Sequence, residues 1–160
     1  MDRGVRPVPR DRGSVSIEVA VLAPAFIGLM VLAGVAGRTA VADEAVESAA
    51  HDAARAASLA RTSDDGEEAA ENAARTQLDW SGLRCTAPPR LDLAGSVAGK
   101  PTSFAAAYRS APGVPATVTV TVTCTVSFDD LSAPGLPGVP GGKTVAASFT
   151  SPLDTYRSRG

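Results

Sequence analysis

The sequence predicts an α+β protein: a long N-terminal transmembrane helix that continues outside the membrane, a second shorter helix, then a small antiparallel β-sheet. Three observations carry this. A charge-free apolar run fills 19 positions from Val19 to Gly37. An alanine-rich stretch with helical spacing follows it to about residue 60. Strict alternation of valine and threonine marks the later chain from Thr117 to Phe128. At 160 residues there is room for one small domain besides the anchor. The expected division is a leader at 1–13, a transmembrane and extended helix at 14–62, and a small extracytoplasmic α+β domain at 63–160.

At about 1.5 Å per helical residue, 19 residues nearly match the roughly 30 Å hydrocarbon core of a bilayer. Ser14 to Ile17 would lengthen the helix further. A buried core helix is the competing reading. It fits poorly, because aromatics are only 4% of the chain and little else is large enough to enclose such a helix. Residues 1–13 carry Arg3, Arg6, Arg10 and Arg12 against Asp2 and Asp11, whereas Arg38 is soon followed by Asp43, Glu44 and Glu47. The positive-inside rule then places residues 1–13 in the cytoplasm and the C-terminal part outside. Pro7 and Pro9 favour an extended leader. Pro24 falls within the apolar run and is expected to kink the helix.

Glu18 stands at the entrance of the apolar run, where an ionised carboxylate is costly unless it is paired or reaches the interface. Snorkelling to the headgroups would satisfy it, and so would a partner charge supplied when copies of the helix pack together.

The string Gly13-Ser14-Val15-Ser16-Ile17-Glu18, preceded by arginines and followed by the apolar run, resembles the processing site of a type IV prepilin. Extended to Pro24, it resembles the TadE-like pseudopilins of tight-adherence pilus systems, as does the tract from His51 to Ala57. The resemblance covers the first 60 residues. It implies a precursor cut by a prepilin peptidase between Gly13 and Ser14, and a pilus-assembly role through residues 14–60. It also implies that Glu18 pairs with the new N-terminal amine of a neighbouring subunit, and that other pilins or assembly proteins are partners. An ordinary signal peptide is the alternative, with Ala40-Val41-Ala42 as its small-residue cleavage site. The protein would then be a secreted or anchored extracytoplasmic binding domain.

Beyond the bilayer, small apolar residues recur at Val35, Ala42, Ala49 and Ala56, interleaved with Thr39, Val46, Ala53 and Ala60. This is either a narrow packing seam or helix propensity alone. The helix should end near Leu59–Arg61, where Thr62 to Gly66 breaks the pattern. A second helix is expected from Glu67 to Trp80, with Trp80 packed onto the sheet. The acidic run Asp64 to Glu71 reads as a solvated face and lacks the ligand order of a calcium loop.

Thr117–Phe128 should be a half-buried strand with Val118, Val120, Val122, Cys124, Val126 and Phe128 inward. Thr144–Thr150 is a second strand, and the Pro/Gly-rich Ser132–Gly142 between them a loop. Leu83–Thr86 and Pro89–Leu93 are weaker strand candidates, and Phe104–Arg109 is strand or helix. Cys85 and Cys124 would form a disulfide in an extracytoplasmic compartment, the alternative being two buried free thiols.

The chemical inventory points away from an enzyme. His51 is the sole histidine, beside Glu47 and Arg55, and reads as a solvated surface residue. No catalytic, cofactor or metal site is expected: two cysteines and one histidine fall short of a structural zinc set. No basic patch follows the leader, so nucleic acid is not an expected partner. The bilayer is.

Overall fold

The computed structural model describes residues 14–129 and 141–156. The chain is α+β: two helices, then a small antiparallel sheet with a short third helix inserted in it. The leader at 1–13, and all but the last two residues of the expected loop at 132–142, lie outside the described residues.

Helix α1 (Ser14–Leu59) is one helix of 46 residues, continuous through Pro24. Helix α2 (Ser63–Trp80) starts four residues earlier than expected. Thr62 caps it, its hydroxyl accepting from the Asp65 amide at 3.1 Å, and Asp64 and Asp65 favour the first turn through the helix dipole. Gly66 therefore does not break a helix. It is buried within one, and a Cβ there would collide with the Tyr108 hydroxyl.

The sheet has strand order β2-β1-β3-β4, from β1 (Arg90–Val97), β2 (Lys100–Ser103), β3 (Ala116–Ser127) and β4 (Gly142–Pro152). All three pairings are antiparallel. Gly142 belongs to β4 rather than to the loop before it, and β1 runs further than the expected Pro89–Leu93. The short β2 was not read from the sequence. It follows β1 through a tight turn at Ala98 and Gly99, both at positive φ (50° and 75°), which suits the twist of a two-residue hairpin. Leu83–Thr86 is not a strand, although the Thr86 amide reaches the Thr125 carbonyl at 2.7 Å. Helix α3 (Phe104–Tyr108) settles the ambiguous segment, with Ser103 capping it by accepting from the Ala106 amide.

Alternation along β3 sorts the sheet into two faces. Val118, Val120, Val122, Cys124 and Val126 are buried, and Phe128 is buried just past the strand. The intervening threonines face outward and share hydroxyl hydrogen bonds with β4, as in Thr119–Thr150 at 2.8 Å and Thr121–Ser148 at 2.6 Å. Helix α1 crosses the inward face over β3 and β4, and α2 packs on α1 and α3. Helix α3 lies against β1, where Gly95 admits Ala107: a Cβ there would stand 2.7 Å from that methyl group.

The outer part of α1 belongs to this core. Ala42, Val46, Ala49 and Ala53 are fully buried, and so are Ala50, Ala54 and Ala57, because α2 covers one flank and the sheet the other. The seam is real and broader than the spacing alone predicts; Ala56, at its edge, is half-buried. A disulfide joins Cys85 to Cys124 across a 5.4 Å Cα separation, tying the α2–β1 connection to the central strand. One expectation fails: Trp80 is 84% exposed, not packed on the sheet. Burial on α2 follows Gly66, Ala70, Ala74 and Leu78, so Leu78 takes the inward place and Trp80 falls on the opposite side.

Candidate functional site

Helix α1 divides into two halves of different chemistry. From Ala42 to Ala57 its small side chains are consumed by the chain's own core. Toward its N-terminus it is long and apolar enough to cross a membrane, and none of its most apolar 18-residue window is buried. Ile17, Phe26, Leu29, Met30 and Leu32 are all exposed, with Met30 at 77%. Each of these groups left in water forgoes about 25 cal/mol for every Å² of apolar surface that burial would remove. A contiguous apolar surface of this kind marks a membrane or protein contact.

Glu18 is exposed at the entrance of this half, and among the described residues nothing pairs with it. Ser14 is the first residue of α1, whereas Gly13 lies outside the described residues. Cys85 and Cys124 are brought together, as the disulfide requires. His51 sits on the outer face of α1, with Nδ1 3.1 Å from the Asp52 carboxylate and its ring edge-on to Phe149 at 4.4 Å. Among the described residues no group of three or more histidine, cysteine or acidic side chains could hold a metal ion.

At the junction of the two halves, Arg38 donates to the Ser127 carbonyl at 3.3 Å and Lys143 stands 3.8 Å from the Asp43 carboxylate. These contacts tie the end of β3 and the start of β4 to the place where the charge-free run stops.

Residues 13–55 match the family model for TadE-like proteins. The chain carries a TadE-like segment. It covers about a quarter of the sequence, beginning at the glycine before α1 and ending two residues short of Ala57. The TadE-like segment thus includes the whole exposed apolar half and most of the buried one. The sheet lies beyond it, and no curated protein and no solved structure matches the chain. With its apolar N-terminal helix, the TadE-like segment fits a component of a tight-adherence pilus system.

The exposed position of Trp80 was missed by sequence reasoning. A helical wheel of α2 anchored on Gly66 rather than on Ala73 and Gln77 would have found it, because Gly66, Ala70, Ala74 and Leu78 recur every four residues.

Proposed function

We propose that the protein is a TadE-like minor pseudopilin or pilus-assembly component, structural rather than catalytic. It is held in the membrane by the apolar half of α1, with residues 1–13 as a cytoplasmic leader and the folded head on the extracytoplasmic side. A prepilin peptidase cuts the leader between Gly13 and Ser14. The mature chain then joins other pilins or pilus-assembly proteins through α1. Glu18 would meet the new amine of a neighbouring subunit there, so that two charges in a low-dielectric setting neutralise each other.

The observation that supports this best is the division of α1 within the matched segment. In the half from Ile17 to Val41 most large apolar side chains stay exposed, although Val35 packs against the core of the head. The half from Ala42 to Ala57 spends its seam on the head. Helix-to-helix assembly is therefore confined to the membrane half, which is narrower than the 14–60 span that the resemblance implies. The signal-peptide alternative is disfavoured by the same packing. Ala42 is fully buried in the middle of α1, and a cut after it would open a chain end within the core.

Replacing Gly13 with leucine tests the reading. Gly13→Leu should leave the precursor in the membrane fraction at its full length, and cells carrying it should lack the mature form. Mature chain accumulating at the normal level would overturn the assigned cut.

A further inference from the structure

Helix α2 runs back along α1, so its C-terminal end returns to the level at which the charge-free run stops. The residues after it, Ser81 to Arg84, form one wall of a cleft of about 550 Å³ whose other walls are Gly37 to Val41 of α1 and the end of β3. Two arginines line this cleft: Arg84 on the connection, and Arg38 on α1, whose guanidinium is already engaged, with the Ser127 carbonyl at 3.3 Å among its partners. Asp43, one helical turn above the cleft on α1, stands 3.8 Å from Lys143. Immediately before the connection stands Trp80, 84% exposed.

The two arginines and the tryptophan have one environment in common by position. Val19 to Gly37 fills the hydrocarbon if α1 spans the bilayer, and Arg38 is then the first residue at headgroup level. Guanidinium groups bind phosphate through parallel N–H donors, and an indole prefers the boundary where its ring meets acyl chains and its N–H meets water. In water the apolar ring of an indole this exposed stays hydrated. At the headgroup layer the ring leaves water while its N–H keeps a hydrogen-bond acceptor.

From this geometry we infer that the foot of the head is a phospholipid-docking face. A headgroup phosphate of the membrane that α1 crosses seats in the cleft against Arg84, with the Trp80 indole among the neighbouring headgroups. The head is then seated on the bilayer surface, and α1 is fixed in depth. This inference rests on the membrane-anchored reading above, but not on the leader cut or on which side the head faces.

Trp80 is the sole tryptophan of the chain, so its fluorescence reports the foot directly. The full-length protein is reconstituted into phosphatidylglycerol–phosphatidylcholine vesicles and floated on a density gradient. Quenching by acrylamide is then compared with quenching by a lipid spin-labelled at the headgroup. Trp80 should be shielded from acrylamide several-fold relative to N-acetyltryptophanamide, and quenched by the labelled lipid. Arg84→Gln should lose most of that shielding while the head keeps its melting temperature, and Arg84→Lys should recover part of it. Vesicles of neutral glycosyl diacylglycerol, which lacks phosphate, should behave like Arg84→Gln. Added inorganic phosphate should change nothing, since the bound phosphate belongs to lipid.

Protein that floats with the vesicles while Trp80 remains open to acrylamide overturns the inference and leaves the anchor standing. Full shielding in Arg84→Gln or in phosphate-free vesicles overturns the phosphate seat. Displacement by inorganic phosphate assigns the cleft to a soluble anion instead and overturns lipid docking. Protein that does not float overturns both this inference and the anchored reading.

Discussion

The Tyr108 hydroxyl donates a 2.5 Å hydrogen bond to the carbonyl of Ala57, 51 residues earlier in the chain. Ala57 lies in the last turn of α1, where carbonyls have run out of helical donors. The Ala60 amide reaches the same oxygen at 3.0 Å, so the helix end is closed by one local and one distant donor. Tyr108 is itself buried, edge-on to Phe104 at 5.1 Å, and its hydroxyl occupies the space left by Gly66. One side chain thus joins the end of α1, the first turns of α2 and the short α3.

Removing that hydroxyl should be felt without disturbing the fold. Tyr108→Phe keeps the ring and deletes the donor, and should cost about 1–2 kcal/mol, the range for a buried hydrogen bond whose acceptor is partly left unmet. Urea denaturation of the protein followed by circular dichroism checks this. An unchanged midpoint would mean that the Ala60 amide alone satisfies the carbonyl.

The two halves of α1 should respond oppositely to the same change. Ala53 is fully buried between α2 and the sheet, so Ala53→Leu inserts three carbons into filled space and should destabilise the head by about 1–3 kcal/mol. Ala20 is exposed in the apolar half, and Ala20→Leu should leave the melting temperature of the head unchanged. Equal melting temperatures for the two variants would refute the intramolecular seam.

The head is poor in large apolar residues and should lean on its cross-link. The bridge from Cys85 to Cys124 closes a separation of 39 residues, worth about 4 kcal/mol in the chain-entropy account. Cys85→Ser combined with Cys124→Ser should lower the denaturation midpoint accordingly. The unmodified protein should migrate faster on a gel run without reductant than on one run with it. Identical mobility would show the thiols free.

What could be read from the sequence follows from how local the governing forces are. Alternation along β3 and the uncharged run at Val19–Gly37 are properties of contiguous residues, and both elements stand where the pattern puts them. The disulfide was readable because two cysteines allow one intramolecular pairing. The helical role of Gly66 was not readable: its need comes from Tyr108, 42 residues away, and a lone glycine after two aspartates looks like a turn. Trp80 was misplaced for a related reason. In an alanine-rich helix many registers bury similar area, and only the contact at Gly66 selects one. The cleft beside Arg38 was invisible because its walls come from three separate elements.

If the leader is cut as proposed, the mature protein keeps the whole of α1, beginning at Ser14, with its apolar half as the membrane and assembly helix. Intact-mass and N-terminal peptide mass spectrometry on protein purified from its native membrane tests this most directly. The account predicts a chain that starts at Ser14 and retains Glu18 as its fifth residue. A chain starting at Asp43, or one still carrying Met1 and the arginine leader, would contradict it.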